Sequence, residues 1–500
     1  MELPPKHVRF THTPLNFKNK EIRLVKIEQS SGPSSPIQIT IQNVDFSGHS
    51  HAITRYDEEV LKVDDYGMRY RGERAKDLYA KCLQETPFKF IALSYTWGPE
   101  LPAQDVLVTS SESRGWLSVR QNLYDFLKIR QGCDSVRQNV DILETSQDFR
   151  TASFWIDQIC INQGNNNEKA HQVHQMAEIY GTAHIVEAWL GPGFEGSDEL
   201  VDLIIHENNL SSQSPSPRLS VSEREMRKLV HPLSRMARLP YWTRLWVTQE
   251  IVLGRVVHIR VGSKTLLWDA FYKGWLRLDK AWQRLWETGK AEDRKDEEKK
   301  GLMRIYHIHA TRIVIANEDW SPLSHLVRGT ECSNIRDRVF GMMGMLKPSL
   351  RVFPDYSMHP QDILLQLLTK QIEVLKGECH PVQMEDHGFT TQVLRYFVCT
   401  AAEWLPHLED EEYAINRRTI RRYLLDIVPL HLSRPDYVSR RDWKLRYYIW
   451  SKIPNERNML WRILRKGCKD REHVSDGFRH DSYADILAQP EVVFADSDST

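Results

Sequence analysis

The sequence predicts an α/β fold in which a mostly parallel sheet is flanked by helices and followed by a mainly helical C-terminal region. Two observations support this prediction. Short apolar runs alternate with segments of helical periodicity in the first half of the chain, and from about residue 270 onward the pattern is helical. A chain of 500 residues is also long enough for two or more domains, each with its own core.

Four apolar runs are predicted to form the sheet, at 90–93, 154–161, 185–190 and 256–261. Helix signals lie between them. Ser118 and Gln121 have the spacing of a capping box, as do Asn165 and Glu168, and Pro240 with Gly254 brackets a third helix. Because helices separate the strands, we expect the strands to be parallel. Polar sites in such sheets gather at the carboxyl ends of the strands.

The remaining segments differ in composition from this central part. The first 45 residues are rich in Pro, Ser, Thr, Lys and Gln, although 37–41 alternates and could form an edge strand. The last 29 are acidic and Ser-rich. The predicted organisation is a loose N-terminal segment (1–45), an α/β domain (50–270, core motifs 85–265), a helical region (271–471) and a disordered acidic tail (472–500).

Charge and cysteine usage exclude several classes of function. Lys+Arg and Asp+Glu number 67 each, so the net charge gives no overall attraction to nucleic acid or to anionic membranes. The seven Cys form no CxxC pair, which is typical of free thiols in a reducing compartment. The sequence shows neither a secretory h-region nor an apolar run of about 18 residues. We therefore expect a cytoplasmic protein without a membrane span.

Three blocks of the sequence end an apolar run in a cluster of polar and aromatic residues, which a plain core strand does not need. The first, 90–98, ends in Leu-Ser-Tyr-Thr-Trp-Gly. The second, 154–163, reads Phe-Trp-Ile-Asp-Gln-Ile-Cys-Ile-Asn-Gln, and the third, 241–250, reads Tyr-Trp-Thr-Arg-Leu-Trp-Val-Thr-Gln-Glu. Three such clusters in order predict one polar site assembled at the ends of several strands.

Together these blocks closely resemble the heterokaryon-incompatibility (HET) domain of filamentous fungi. The matching positions are 93–98, 155–163, Glu168-Lys169, Gln172-Val173, Met176 and 242–250. The resemblance covers residues 85–265 and implies a role in non-self recognition and regulated cell death, by self-association or by binding a protein partner. The segment 336–344 recurs downstream of these motifs in the family, and we expect it to contact the domain.

The HET domain is in turn similar, more distantly, to the Toll/interleukin-receptor (TIR) fold, which implies a TIR-like or Rossmann-like sheet. In TIR domains an opening strand ends in Ser-Tyr, and a Trp-x-x-x-Glu helix follows the third strand. Some of these domains cleave NAD with that Glu. Here Ser94-Tyr95 and the spacing of Trp246 and Glu250 match. The resemblance therefore implies Glu250 as a catalytic carboxylate and NAD as a possible substrate, without a resident cofactor.

Each candidate site residue has two interpretations. Glu250 either stabilises positive charge on a ribose or pairs with an Arg and fixes its helix. Asp157 and Asn162 either line a nucleotide pocket or cap a helix and shape a turn. Tyr95 and Trp97, next to Ser94, either stack on a ring or fill the edge of the sheet.

Two further patterns are weaker. Cys160 could act as a nucleophile only with a nearby His base, for which His171 or His174 would have to approach it, and a buried strand Cys is more often a packing residue. His171-x-x-His174 has the spacing of two metal ligands, but no second pair follows, so we predict no metal site.

Two mechanisms from different classes remain open. The domain is either an adaptor that assembles with itself or a partner, or an enzyme that cleaves NAD through Glu250. A role in stress or secondary-metabolite regulation is a third and weaker alternative.

Overall fold

The structure is a computed structural model that describes most of the first 360 residues. The described residues are 4–29, 32, 35–49, 61–63, 69–71, 86–132, 152–213, 222–287, 296–313, 330–360 and a few positions between 362 and 370. Contacts divide the chain into one unit from Met1 to Met358 and another from His359 to Thr500. The predicted helices beyond residue 370 and the tail 472–500 lie outside the described residues.

A nine-stranded sheet organises the first unit, with strand order β11-β10-β9-β5-β8-β1-β2-β6-β7, and β3 and β4 pair separately. The strands are β1 (Ile22–Ile27), β2 (Gln38–Val44), β3 (Leu61–Val63), β4 (Arg69–Arg71), β5 (Phe90–Tyr95), β6 (Ala103–Thr109), β7 (Arg114–Arg120), β8 (Ser153–Trp155), β9 (Ile185–Trp189), β10 (Val257–Val261) and β11 (Lys264–Leu267).

The helices of the described residues cover this sheet and follow its strands in sequence. They are α1 (Gln121–Gly132), α2 (Asp157–Cys160), α3 (Asn166–Thr182), α4 (Ser197–Gln213), α5 (Glu223–Ala237), α6 (Leu245–Leu253), α7 (Trp268–Glu287), α8 (Asp296–Ile313) and α9 (Asp337–Phe340). Among the described residues, no helix has the length and apolar content needed to cross a membrane.

All four strands predicted from apolar runs lie in this one sheet, and they are parallel to each other. β10 pairs with β9, β9 with β5, and β5 with β8, in each case in parallel register. The expectation of a mostly parallel sheet is nevertheless wrong, because the sheet is mixed. β1 runs antiparallel to both β8 and β2, and the pairs β6–β7 and β10–β11 are antiparallel as well.

The N-terminal segment causes much of this difference. Residues 1–45 were expected to be loose, with an edge strand at most, but β1 and β2 occupy the interior of the sheet. Ile22 and Val25 of β1 are fully buried, and so is the charged side chain of Arg23 between them. Charged residues at 21, 23, 26 and 28 interrupt the apolar residues here, so the sequence does not indicate a strand buried on both faces, and Arg23 is buried because it has a buried partner.

Two local predictions also need correction. The run 154–161 was predicted to be one strand, but β8 ends at Trp155 and the chain turns into α2 at Asp157. Ser118 was predicted to open a helix, yet it lies in β7, where its hydroxyl donates to Asp105 (2.6 Å). The helix α1 begins at Gln121 instead.

Other local predictions are confirmed in full or in part. The side chain of Asn165 caps α3 by accepting hydrogen bonds from the backbone N–H groups of Asn167 and Glu168. The other half of the predicted capping box does not form, because the Glu168 carboxylate accepts from Asn162 N–H and Arg23. Gly254 follows the last residue of α6 as predicted, whereas Pro240 begins a separate 3-10 turn and α6 itself starts at Leu245, after the extended Arg244. Trp189 and Trp246 are both buried.

The segment 336–344 contacts α6, as the sequence predicts. The indole N–H of Trp246 donates to Asp337 (3.2 Å), and the backbone N–H of Gly344 donates to the side chain of Gln249 (2.9 Å). These residues therefore complete the core around α6 from a distant part of the chain.

Candidate functional site

The topology of the sheet brings the first two motif blocks to one edge. β5 and β8 are neighbouring parallel strands in which Ala92 is opposite Trp155. β5 ends at Tyr95, and two residues after the end of β8 the chain begins α2 with Asp157. Because the carboxyl ends of parallel strands meet at the same edge, the polar residues of both blocks lie side by side.

Arg244 joins these two blocks to the third. One nitrogen of its guanidinium donates to the backbone carbonyl of Tyr95 (2.5 Å) and lies 3.4 Å from Glu250 Oε1. The other nitrogen pairs with Asp157 Oδ2 at 3.1 Å. The planar guanidinium with its fixed donors suits such a three-way contact better than an ammonium would. We call Ser94, Tyr95, Trp97, Asp157, Arg244 and Glu250 the Arg244 cluster.

The local backbone explains where the Arg244 side chain lies. Arg244 is a single extended residue, with φ −69° and ψ 127°, between the 3-10 turn Pro240–Thr243 and α6. This break lets Tyr241 and Trp242 turn into the core on one side while α6 starts in a new direction. Glu250 then lies on α6 itself, six residues from the arginine that it pairs with.

Glu250 is fully buried, with 0% of its surface exposed. Burial raises the pKa of its carboxyl to about 7, and the nearby charge of Arg244 opposes that rise; Asp157 adds to the rise and the Ser94 hydroxyl lessens it. Its second oxygen, Oε2, is buried and accepts no hydrogen bond of normal geometry from the described residues. Near neutral pH this carboxyl is therefore divided between its charged and uncharged forms.

Buried hydroxyl groups surround the carboxylate. Ser94 and Tyr241 share a short hydrogen bond of 2.6 Å, and the Tyr180 hydroxyl donates to the carbonyl of Leu93 (2.9 Å). Burial raises the pKa of Tyr95, Tyr180 and Tyr241, and the negative charge of Glu250 adds to the rise in all three. These phenols therefore stay neutral, and none can act as a phenolate base.

Trp97 connects the cluster to the molecular surface. Its side chain is half-buried, and its indole N–H donates to Asp157 Oδ2 (2.8 Å), the oxygen that also pairs with Arg244. The guanidinium of Arg120 lies 5.0 Å from the centre of the Trp97 ring. Trp97 thus covers the Asp157–Arg244 pair, which agrees better with an edge-filling aromatic than with a ring exposed for stacking.

Asn162 does not join the cluster. Its backbone N–H donates to Glu168 (2.7 Å), and its side-chain oxygen accepts from the N–H of Gly164 (3.2 Å), so it shapes the turn before α3. Glu168 itself forms a buried two-point pair with Arg23 at 2.5 and 3.1 Å. The second motif block is therefore also anchored to β1, through an arginine outside all three blocks.

Cys160 lacks the surroundings of a nucleophile. Burial raises the pKa of its thiol to about 12, and its sulfur accepts the backbone N–H of Ile156 (3.3 Å). The two histidines considered as its base have other contacts. His171 stacks on Phe17, with ring centres 4.4 Å apart, and His174 lies against Phe353. Within the described residues, no group of three His, Cys, Asp or Glu side chains is arranged to hold a metal ion.

Sequence reasoning missed the residue at the centre of the cluster. Arg244 lies inside the third motif block, but an arginine between two tryptophans resembles a surface residue in a pattern of helical spacing. Counting the charged residues of the three motif blocks would have identified Arg244. The three blocks hold two acidic residues that become buried, Asp157 and Glu250, and one cation that can neutralise them.

Comparison with known proteins places these residues within one family match. The model of the family described as heterokaryon incompatibility protein (HET) matches residues 90–250, which contain the whole Arg244 cluster. This chain carries a HET domain. Heterokaryon incompatibility protein 6, OR allele, of Neurospora crassa is 25% identical over 368 residues, which is 64% of this chain and 52% of the relative. The chain therefore matches about half the length of that relative. No solved structure matches the chain significantly.

The HET match ends at Glu250, the last residue of the cluster, whereas the compact unit continues to Met358. The compact unit that contains the HET domain therefore includes β1 and β2, which precede the matched residues, and the 330–358 segment, which follows them.

Proposed function

We propose that this HET-domain protein acts in heterokaryon incompatibility, as an effector of non-self recognition that triggers regulated cell death by assembling with itself or with a protein partner. The HET family match and the name of the Neurospora crassa relative support the biological role. The burial of Glu250 is the observation that favours assembly over catalysis as the mechanism. Cys160 and Cys332 are free thiols, in keeping with action in the reducing cytoplasm.

The geometry of Glu250 favours assembly over catalysis. A catalytic carboxylate must reach the atom on which charge develops. Glu250 instead has no exposed surface and is paired with Arg244, whose side chain is itself only 15% exposed. In this arrangement the carboxylate holds α6 against the ends of β5 and α2. The motif residues then stabilise the fold of the domain, and its exposed faces bind partners.

One observation favours the alternative, an NAD-cleaving enzyme of TIR-like fold. Glu250 Oε2 is buried without a hydrogen-bond partner among the described residues, next to Ser94, Tyr95 and Asp157. An unpaired carboxylate oxygen is costly unless a ligand or a second conformation uses it. In the alternative, a movement of Trp97 and Arg244 admits the nicotinamide riboside part of NAD, and Glu250 stabilises the positive charge that forms on the ribose.

Expression of the full chain in a filamentous fungal host tests both mechanisms. The proposal expects cell death that persists in Glu250→Gln, because the amide keeps the shape of the side chain and its contact with Arg244. In the same series, purified protein incubated with NAD should release no nicotinamide. Glu178→Gln, a partly exposed glutamate on α3, is the matched control.

The opposite result would establish the enzyme. Nicotinamide release by the wild-type protein, lost together with cell death in Glu250→Gln but retained in Glu178→Gln, assigns Glu250 a catalytic role. Death without nicotinamide release, together with a concentration-dependent increase in molecular mass during gel filtration, supports assembly.

A further inference from the structure

The segment 330–358 lies far from the HET motifs in sequence, but it contacts the residues on both sides of Arg244. It follows α8 in the chain and leads directly into His359, the first residue of the second unit. Its contacts fall into three groups, and each fixes a different part of the polypeptide that carries Arg244 and Glu250.

The first group is a backbone bridge at Arg244 itself. The N–H of Glu331 donates to the carbonyl of Thr243 (2.6 Å), and the carbonyl of Glu331 accepts the N–H of Leu245 (3.0 Å). Arg244 is the one extended residue between two helical turns, so the polar groups beside it lack regular helical partners. Glu331 supplies them, and it thereby fixes the direction in which the Arg244 side chain leaves the backbone.

The second group is a buried carboxylate with two donors. Asp337 Oδ2 accepts the indole N–H of Trp246 (3.2 Å), and Oδ1 accepts the hydroxyl of Tyr356 (2.8 Å). Asp337 is buried, and Lys169 of α3 lies over the Tyr356 ring, 4.6 Å from its centre. Two donors that converge on two oxygens fix both the first turn of α6 and the far end of the segment.

The third group is a close approach at the end of α6. The N–H of Gly344 donates to Gln249 Oε1 (2.9 Å), one residue before Glu250. A Cβ atom at position 344 would lie 2.4 Å from the Cβ of Ala177, so only glycine permits this approach. The segment therefore holds α6 beside Arg244, at its first turn and beside Glu250.

We infer that the segment 330–358 is a positioning clamp for the Arg244 cluster, so that the geometry of the three HET motif blocks is set by sequence C-terminal to them. Asp337 and Glu331 act through Arg244, which passes the position of α6 on to Tyr95 and Asp157. This inference concerns the control of the cluster and holds for either mechanism of the protein. Any event that shifts the segment would then displace Arg244 first and Asp157 through it.

Hydrogen exchange of the full-length protein tests the clamp without reference to cell death or NAD. Tyr356→Phe removes one of the two donors to Asp337 and leaves its ring against Lys169. Asp337→Leu keeps the branched shape of the side chain but accepts no hydrogen bond, so Trp246 and Tyr356 both lose their acceptor. Tyr306→Phe, an exposed position on α8, is the matched control.

Both clamp variants should raise exchange in α6 by about five- to tenfold, and raise it also in α2, whose amides are bonded to Ile156 and Asp157. The strands β6 and β7 should be unchanged, and Tyr306→Phe should change neither region. Faster exchange in α6 alone would make the segment a local support and overturn the inference. An equal rise in β6 and β7 would indicate general destabilisation and overturn it too, as would no change anywhere.

A second set of variants tests whether the coupling between the 330–358 segment and α2 passes through Arg244. Arg244→Lys cannot reach Tyr95, Asp157 and Glu250 together, because an ammonium lacks the spread of the guanidinium. In this background Tyr356→Phe should still raise exchange in α6 but should add nothing in α2. If Tyr356→Phe still changes α2, the coupling passes through Lys169 and α3 instead, and the assignment of Arg244 as the link is wrong.

Discussion

At the scale of single residues, the structure shows what the charged residues of the second and third motif blocks do. Asp157 and Glu250 share one arginine, so two carboxylates are buried with a single positive charge. Burial of an ionised group without full compensation is unfavourable, and the side chain with less compensation takes up a proton. Glu250 is that side chain, with a pKa of about 7 and an oxygen that lacks a partner within the described residues.

This raised pKa predicts how stability depends on pH. The folded state binds the Glu250 proton more tightly than the unfolded state, whose pKa lies near 4.5. The stabilisation is therefore complete below that value and disappears as the pH rises through about 7. Glu250→Gln carries no such proton, so its stability relative to the wild type should increase by about 2–3 kcal/mol between about pH 5 and about pH 8.

Denaturant unfolding of both proteins across this range measures the difference. Glu178→Gln serves as the control, since Glu178 is partly exposed and pairs with Lys20 at the surface. A difference between wild type and Glu250→Gln that does not vary with pH would mean that Glu250 titrates normally.

At the scale of elements, helix α3 depends on its cap. Asn165 accepts hydrogen bonds from two backbone N–H groups at the start of the helix, which have no carbonyl partner within the helix itself. Asn165→Ala should reduce the protection of the first turn of α3 and destabilise the domain by about 1 kcal/mol, whereas Asn165→Asp should be close to neutral. Thermal unfolding compares the three proteins. An Asn165→Ala variant with the stability of the wild type would show that the cap contributes nothing.

Elements were predictable from sequence where local signals and tertiary packing agree. The Asn165 cap and the strands β5, β9 and β10 follow from spacing and apolar content alone. The run from Phe154 to Ile161 was misassigned because apolar periodicity does not separate a buried strand from a short buried helix. Only tertiary structure decides that the chain turns at Asp157, where Arg244 and Trp97 bind the carboxylate.

At the scale of the whole molecule, the N-terminal strands are part of the HET-domain core. β1 lies between β8 and β2. Its Arg23 pairs with Glu168, which follows the second motif block, and donates to the carbonyl of Cys160 inside that block (2.8 Å). Deletion of residues 1–45 should therefore leave β8 paired with β5 alone, with its other edge open, and Glu168 buried without its partner, so the shortened chain should be insoluble. Deletion of the acidic tail 472–500 is the matched control. A soluble, cooperatively folded chain without residues 1–45 would contradict this role of β1.

The candidate site was predictable in part. The convergence of Ser94, Tyr95, Trp97, Asp157 and Glu250 follows from polar clusters at the ends of parallel strands. Their partners could not be predicted, since Arg244, Tyr241 and Asp337 are selected by contacts between distant segments. The family resemblance predicts that 336–344 contacts the domain, but no local pattern identifies Trp246 and Gln249 of α6 as its partners. The sequence therefore predicts the position of the Arg244 cluster but not that its glutamate is buried.

The most direct test of the account is a thermodynamic cycle on Arg244. Arg244 is held to join the three motif blocks by donating to the carbonyl of Tyr95 and by neutralising Asp157 and Glu250. Arg244→Met keeps the apolar stem and leaves both carboxyls uncompensated, so hydrogen exchange should show a loss of about 3–5 kcal/mol in β5, α2 and α6. Adding Glu250→Gln should restore about half of that loss. Full protection in Arg244→Met, or no recovery in the double variant, would contradict the claim.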